Sequence, residues 1–116
     1  MNSAENTKQC KELCWSCRTC CQETFARHCL EMGGEHVAKE HAKLMLDCVQ
    51  ICQTAADFMD RESALHAYTC EVCAVVCEAC SKSCARINSE SMQKCAEICR
   101  QCAESCRSMG KTKKAA

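Results

Sequence analysis

Five cysteines in the stretch Cys70-Glu-Val-Cys73-Ala-Val-Val-Cys77-Glu-Ala-Cys80-Ser-Lys-Ser-Cys84 step by three, four, three and four residues. Thiols three and four residues apart lie on one face of a helix, with Cβ atoms roughly 5–6 Å apart, so two sulfurs of one helix can grip one soft ion. The same rhythm returns in Cys95, Cys99, Cys102 and Cys106, and again in Cys10, Cys14, Cys17 and Cys21. A shorter pair, Cys48 and Cys52, continues a column that begins at His41 and Met45. Soft thiolate and thioether donors select Cu(I), with zinc and iron–sulfur centres as competitors. Copper(I) accepts two or three sulfurs, so a thiolate can bridge two ions along a continuous column. One singly charged ion per thiolate leaves a neutral interior, whereas one Zn²⁺ per four thiolates buries net negative charge. Charge matching favours many Cu(I) ions.

Other uses of cysteine fit less well. Cys10/Cys20 and Cys70/Cys80 each have nine intervening residues, the spacing of disulfide-linked helical hairpins, but the cysteine total is odd and the ladders far exceed two bridges. Cys14, Cys17 and Cys20 match the start of an iron–sulfur motif, yet no Cys-Pro follows and a continuous helix would fan the three sulfurs apart. A zinc module needs its ligands segregated into fours, and the ladders run on without such breaks. No one Cys–His pair stands out as a nucleophile and its base, so nothing points to an enzyme. These alternatives leave a zinc or iron–sulfur module, or a disulfide-linked scaffold, as rival readings.

Two cysteines fall off the columns on a heptad frame. Cys20 lies beside the stripe, in the flank position of Leu13. Cys29 points further away while His28 stays nearer, so Cys29 is expected to contribute little. Of the four histidines, His28, His36, His41 and His66, His41 and His66 extend the columns of helices two and three. Met59, Met92 and Met109 likewise prolong columns at or near the ends. Such residues read either as packing, where Met is a ready gap-filler, or as a soft gate passing Cu(I) inward.

The elements that must position these columns are four helices. Helix one is predicted over about 6–32, stopping at Gly33-Gly34. Helix two follows over about 35–58, with Val37, Leu44, Ile51 and Phe58 as a packing flank recurring every seven residues. Asp60 is the expected N-cap of helix three, which runs to about Ile87; Ser89 caps helix four, which runs to about Met109. Short connections make neighbours antiparallel, so the fold expected is an all-α, up-down four-helix bundle with a cysteine-lined core. Residues 1–116 form one domain, with short disordered ends at about 1–5 and 110–116.

Composition agrees. Seventeen cysteines in 116 residues, with only fifteen Leu, Ile, Val and Phe together, mean that the core is built largely from thiols, which pack when reduced as small hydrophobes. Proline is absent and aromatics are 3 %. Fifteen charges of each sign give no footprint for nucleic acid or an anionic membrane. No stretch has the apolar length of a signal peptide or a membrane span, so the expected location is the cytoplasm, where thiols stay reduced.

With these ladders from Cys10 to Cys106, the chain resembles the bacterial cytosolic copper storage proteins. That resemblance implies a bundle whose core thiolates hold many Cu(I) ions, access through one His- or Met-lined end, and assembly into homotetramers. Carried over, the ligands are Cys10, Cys14, Cys17, Cys21, Cys48, Cys52, Cys70, Cys73, Cys77, Cys80, Cys84, Cys95, Cys99, Cys102 and Cys106. Cys20, Cys29, His28, His41, His66 and Met45 stand as further candidates. Helix two departs most from the pattern, with His41 and Met45 where cysteines would continue its column.

Overall fold

The computed structural model describes residues 3–113. Among them four long helices form the molecule. Helix α1 (Ser3–Glu23) runs on through a π-helical turn (Thr24–Cys29) and a last α-turn (Leu30–Met32). Gly33 and Gly34 then take φ of +67° and +54°, a left-handed pair that glycine adopts without Cβ strain. Helices α2 (Lys39–Asp60), α3 (His66–Ala85) and α4 (Glu90–Gly110) follow. The disordered ends expected at about 1–5 and 110–116 are not found where the chain is described: residues 3–5 already lie in α1 and Gly110 closes α4, while residues 1, 2 and 114–116 lie outside the described ones.

Two connections differ from expectation. Helix α2 begins at Lys39 rather than near Glu35, because the two left-handed glycines feed a 3₁₀ turn (Gly34–Val37) that tucks His36 into the structure. Asp60 does not cap α3; it is the last residue of α2. Burial of Met59 completes the inward column of α2 one residue past Phe58. The helix then ends in a Schellman closure: Ser63 N–H donates to Phe58 C=O (2.9 Å) and Glu62 N–H to Met59 C=O (3.1 Å). Glu62 occupies the left-handed position, with φ of +52°. Ser63, not Asp60, shapes the approach to α3, its hydroxyl accepting from Leu65 N–H at 3.1 Å. Ser89 caps α4 as expected, its Oγ accepting from Met92 N–H at 3.2 Å.

Pairings across the core set the topology. Cys10 meets Cys106 while Cys21 meets Cys95, so α1 and α4 are antiparallel. Met45 meets Cys84 and Met59 meets Cys70, so α2 and α3 are antiparallel too. The Lys11–Asp60 ion pair (2.8 Å) and the Cys17–Cys48 contact orient α1 against α2. Glu78–Arg107 and the Ser81 hydroxyl donating to Ala96 C=O (2.7 Å) do the same for α3 and α4. The result is an up-down bundle, 45 × 25 × 20 Å. Val37, Leu44 and Ile51 of the expected flank pack partly buried on the core, with Trp15, Phe25 and Ile98 at other seams. Buried Ala55, Ala56, Ala74, Ala96 and Ala103 carry little bulk between the helices, which keeps the sulfur columns close.

Candidate metal centre

The a/d register of each helix places its cysteines on the bundle axis, and every cysteine of the four ladders is fully buried. All seventeen are free thiols. Starting at the end where α1 begins, Cys106 lies 3.6 Å from Cys10 and 3.5 Å from Cys14, and Cys14 lies 3.8 Å from Cys102. Cys52 then contacts Cys102 (4.0 Å), Cys73 (3.8 Å) and Cys77 (3.5 Å). Cys77 leads to Cys48 (3.7 Å), and Cys48 to Cys17 and Cys21 (both 3.6 Å). Cys21 reaches Cys99 at 3.4 Å and Cys95 at 3.5 Å. From Cys10 to Cys95, sulfur follows sulfur without a gap.

These contacts form overlapping sets. Cys14, Cys73, Cys102 and Cys106 lie within 4.8 Å of one another, and so do Cys52, Cys73, Cys77 and Cys102. Cys17 and Cys48 are shared by two further sets, one with Cys21 and Cys99, the other with Cys52 and Cys77. Cys10, Cys70 and Cys106 make a set of three. Shared members prevent every set from holding its own tetrahedral zinc, whereas bridging thiolates satisfy neighbouring Cu(I) ions together.

The protons of this core are shared in the same way. Hydrogen bonds from Cys17, then Cys21 and other thiols, depress the Cys48 thiol, while Cys52, bonded to Cys102 first, holds its proton more firmly than an ordinary thiol. The Cys21 thiol leads the groups that bring Cys80 down to about 7 against its burial. At the edge of the core, Cys10 is the main cause lifting Cys70 to about 12. A proton that one sulfur gives up is one its neighbour helps to hold, and soft cations can replace protons between the same atoms.

Cys29 corrects the heptad reading. It is fully buried, with its thiol donating toward Met92 Sδ at 3.7 Å. The π-helical turn explains this: it takes up one extra residue, so eight residues after Cys21 the chain again faces inward. Burial, followed by the Cys95 and Cys80 charges, pushes the Cys29 thiol up to about 11. Cys20 stays half-buried beside Thr24 Oγ1 (3.8 Å), the flank position expected of it. It does not join Cys14 and Cys17 on the axis, so that trio does not close around a cluster.

The histidines divide between the two ends. His28 Nε2 is 3.1 Å from Ser89 Oγ, and its ring meets that of His36 edge-on at 4.9 Å. His36 is not among the candidate ligands, since it lies off the column of helix two; the 3₁₀ turn that replaces the expected start of that helix leaves it only 7 % exposed. His41 is 5 % exposed, its Nδ1 2.8 Å from Ser83 Oγ, and burial holds it below the usual histidine range. The Nε2 atoms of His36 and His41 are buried without a hydrogen-bond partner. At the opposite end His66 Nδ1 must carry its proton, because it bonds Ser63 C=O at 2.8 Å. Its Nε2 is buried without a hydrogen-bond partner, so the ring is braced by a carbonyl on one side as metal-ligating imidazoles are. Thioethers accompany thiols at both ends: Met59 Sδ is 3.8 Å from Cys70, and Met45 and Met92 contact cysteines near the other end.

The chain is similar in fold and sequence to solved structures. Among solved structures, a protein of Nitrosospira multiformis is 42 % identical and covers 92 % of this chain and 96 % of its own, with a TM-score of 0.89. Copper storage protein 3 of Bacillus subtilis matches as the apoprotein (35 % identity, 90 % and 98 % covered, TM-score 0.81) and as BsCsp3 with Cu(I) bound (34 %, 90 % and 98 %, 0.84). A cytosolic copper storage protein of Streptomyces lividans, loaded with five coppers, is 27 % identical over 93 % of this chain and 94 % of its own (TM-score 0.84). No curated protein sequence matches. The family model described as copper storage protein matches residues 3–111, and this chain with its sulfur-lined bundle belongs to the copper storage protein family.

Proposed function

We propose that this chain, as one four-helix domain over residues 1–116, stores and sequesters Cu(I) in its core without catalysing a reaction. The ligands are the fifteen ladder cysteines, from Cys10 to Cys106, joined by Cys29. The observation that carries this reading is the unbroken run of sulfur contacts at 3.4–4.0 Å. A metal–sulfur bond of about 2.3 Å would set the sulfurs of a trigonal site about 4.0 Å apart, so little movement is needed to admit ions. Copper binding displaces thiol protons, and the bridged chain spreads each thiolate charge over two cations. Similarity to a relative described as cytosolic supports a cytoplasmic location, and no helix of the described residues is long and apolar enough to cross a membrane.

Self-association belongs to the same proposal. Tyr68, Val72 and Val75 form an exposed stripe on the outer face of α3, prolonged by Leu65 just before the helix, with Val75 65 % exposed, and this supports the homotetramer implied by the resemblance. The deciding experiment is titration of reduced apoprotein with Cu(I) under nitrogen against a competing chelator. The expected capacity is roughly one ion per ladder cysteine, or more through bridging. Saturation near four ions, with the spectra of tetrahedral thiolate sites, would overturn copper storage in favour of a zinc module.

A further inference from the structure

The all-thiol run does not account for the sulfur nearest the His41 end of α2. Met45 is fully buried, and two thiols donate to its one sulfur: Cys84 at 3.4 Å and Cys80 at 3.6 Å. Cys80 and Cys84 are themselves 4.0 Å apart. The three sulfurs therefore make a closed triangle, with edges close to the separation of about 4.0 Å that a trigonal site with metal–sulfur bonds of about 2.3 Å demands. The other thioethers near thiols show single pairs: Met92 with Cys29, and Met59 with Cys70. We propose that Met45, Cys80 and Cys84 form a Cu(I) site of mixed thioether and thiolate character, distinct from the all-cysteine sites of the core.

The three sulfurs bring different donors. Above Cys48 the column of α2 offers no thiol, so Met45 supplies the sulfur that α2 sets opposite the Cys80–Cys84 step of α3. Two S–H groups converge on a thioether that has no proton of its own. When Cu(I) binds, Cys80 and Cys84 each release a proton and become thiolates, while Met45 donates a lone pair and changes no charge. Copper remains Cu(I) throughout. The hydrogen bond from the His41 side of α2 to Ser83, the residue before Cys84, holds the two helices together one turn from the triangle. A thioether is a weaker donor than a thiolate, so this ion is held less tightly than those bridged by thiolates alone. Copper is then drawn first from this end of the store. Leucine would fill the same volume, but it has no electron pair to give.

The inference rests on the storage reading, and the test separates the two. The reduced full-length chain is prepared with selenomethionine and loaded with Cu(I) under nitrogen, then measured by X-ray absorption at both the copper and selenium edges. Copper backscattering at the selenium edge is expected in the labelled protein, reduced in labelled Met45→Leu. Chelator competition on unlabelled protein should show Met45→Leu holding one fewer Cu(I), with the tightly bound remainder unchanged. Cys84→Ser provides a second variant: it keeps the thioether and should also lower the selenium-edge signal. If copper binds through sulfur but Met45→Leu leaves both the selenium-edge signal and the capacity unchanged, the mixed site is overturned and storage stands. If no Cu(I) binds at all, the storage reading falls and takes this site with it.

Discussion

Cys29 shows how one thiol links copper loading to proton balance. Its folded value of about 11 lies above the ordinary cysteine value of about 8.5. Between those values the unfolded chain has lost this proton and the folded chain retains it, so the native state binds more protons and stability falls as pH rises. Its contribution is complete below pH of about 8.5 and disappears as pH climbs through 11. Urea melts of reduced apoprotein should show lower midpoints across that window, with a shallower slope in Cys29→Ser; equal slopes would place the loss elsewhere. The same variant should lose about one Cu(I) in chelator competition, because Cys29 sits inside with Met92. Cys20→Ser should lose less, since Cys20 remains at the seam.

The helix ends give sharper expectations of stability than the columns do. Glu62 holds a left-handed position that costs an L-residue roughly 1–2 kcal/mol, partly offset in glycine by the entropy it loses on folding. Glu62→Gly should therefore stabilise the bundle by about 0.5 kcal/mol, read as a higher urea midpoint at unchanged slope. Gly110→Ala should act oppositely. A Cβ there would sit 3.2 Å from the Cα and Cβ of Glu71, backbone-anchored atoms that yield little, so the α3–α4 contact must open by a few tenths of an ångström. This cost outweighs the helix propensity gained, to leave a net loss of about 1 kcal/mol or less. The cysteine faces of α3 and α4 were legible from the steps of Cys70–Cys84 and Cys95–Cys106, because helix geometry alone assigns them. Ser89 was legible because its cap is a local bond. Cys29 was not, since its direction depends on an extra residue absorbed in mid-helix and on Met92 from another helix. Its eight-residue distance from Cys21 was the available signal: two regular turns take seven. Asp60 misled because a good capping residue can equally end the preceding helix when Met59 has a core to fill.

At the scale of the whole molecule, the thiols already pack as small hydrophobes, so metal-free protein should be helical by far-UV circular dichroism before any copper is added. A coil-to-helix change on loading would contradict this. Thermal midpoints should rise with free Cu(I), since a ligand at a hundred times its dissociation constant contributes about 2.7 kcal/mol to the native state. A sulfur-lined axis has a further effect, on the oxidation state of what it holds. Cu(II) favours tetragonal nitrogen and oxygen ligands and carries a second positive charge. Around the axis, Cys17, Cys48, Cys77 and Cys99 offer neither such atoms nor solvent to support that charge. The bundle therefore raises the reduction potential of its copper, and the wall of four helices acts as a barrier to oxidation as much as a container.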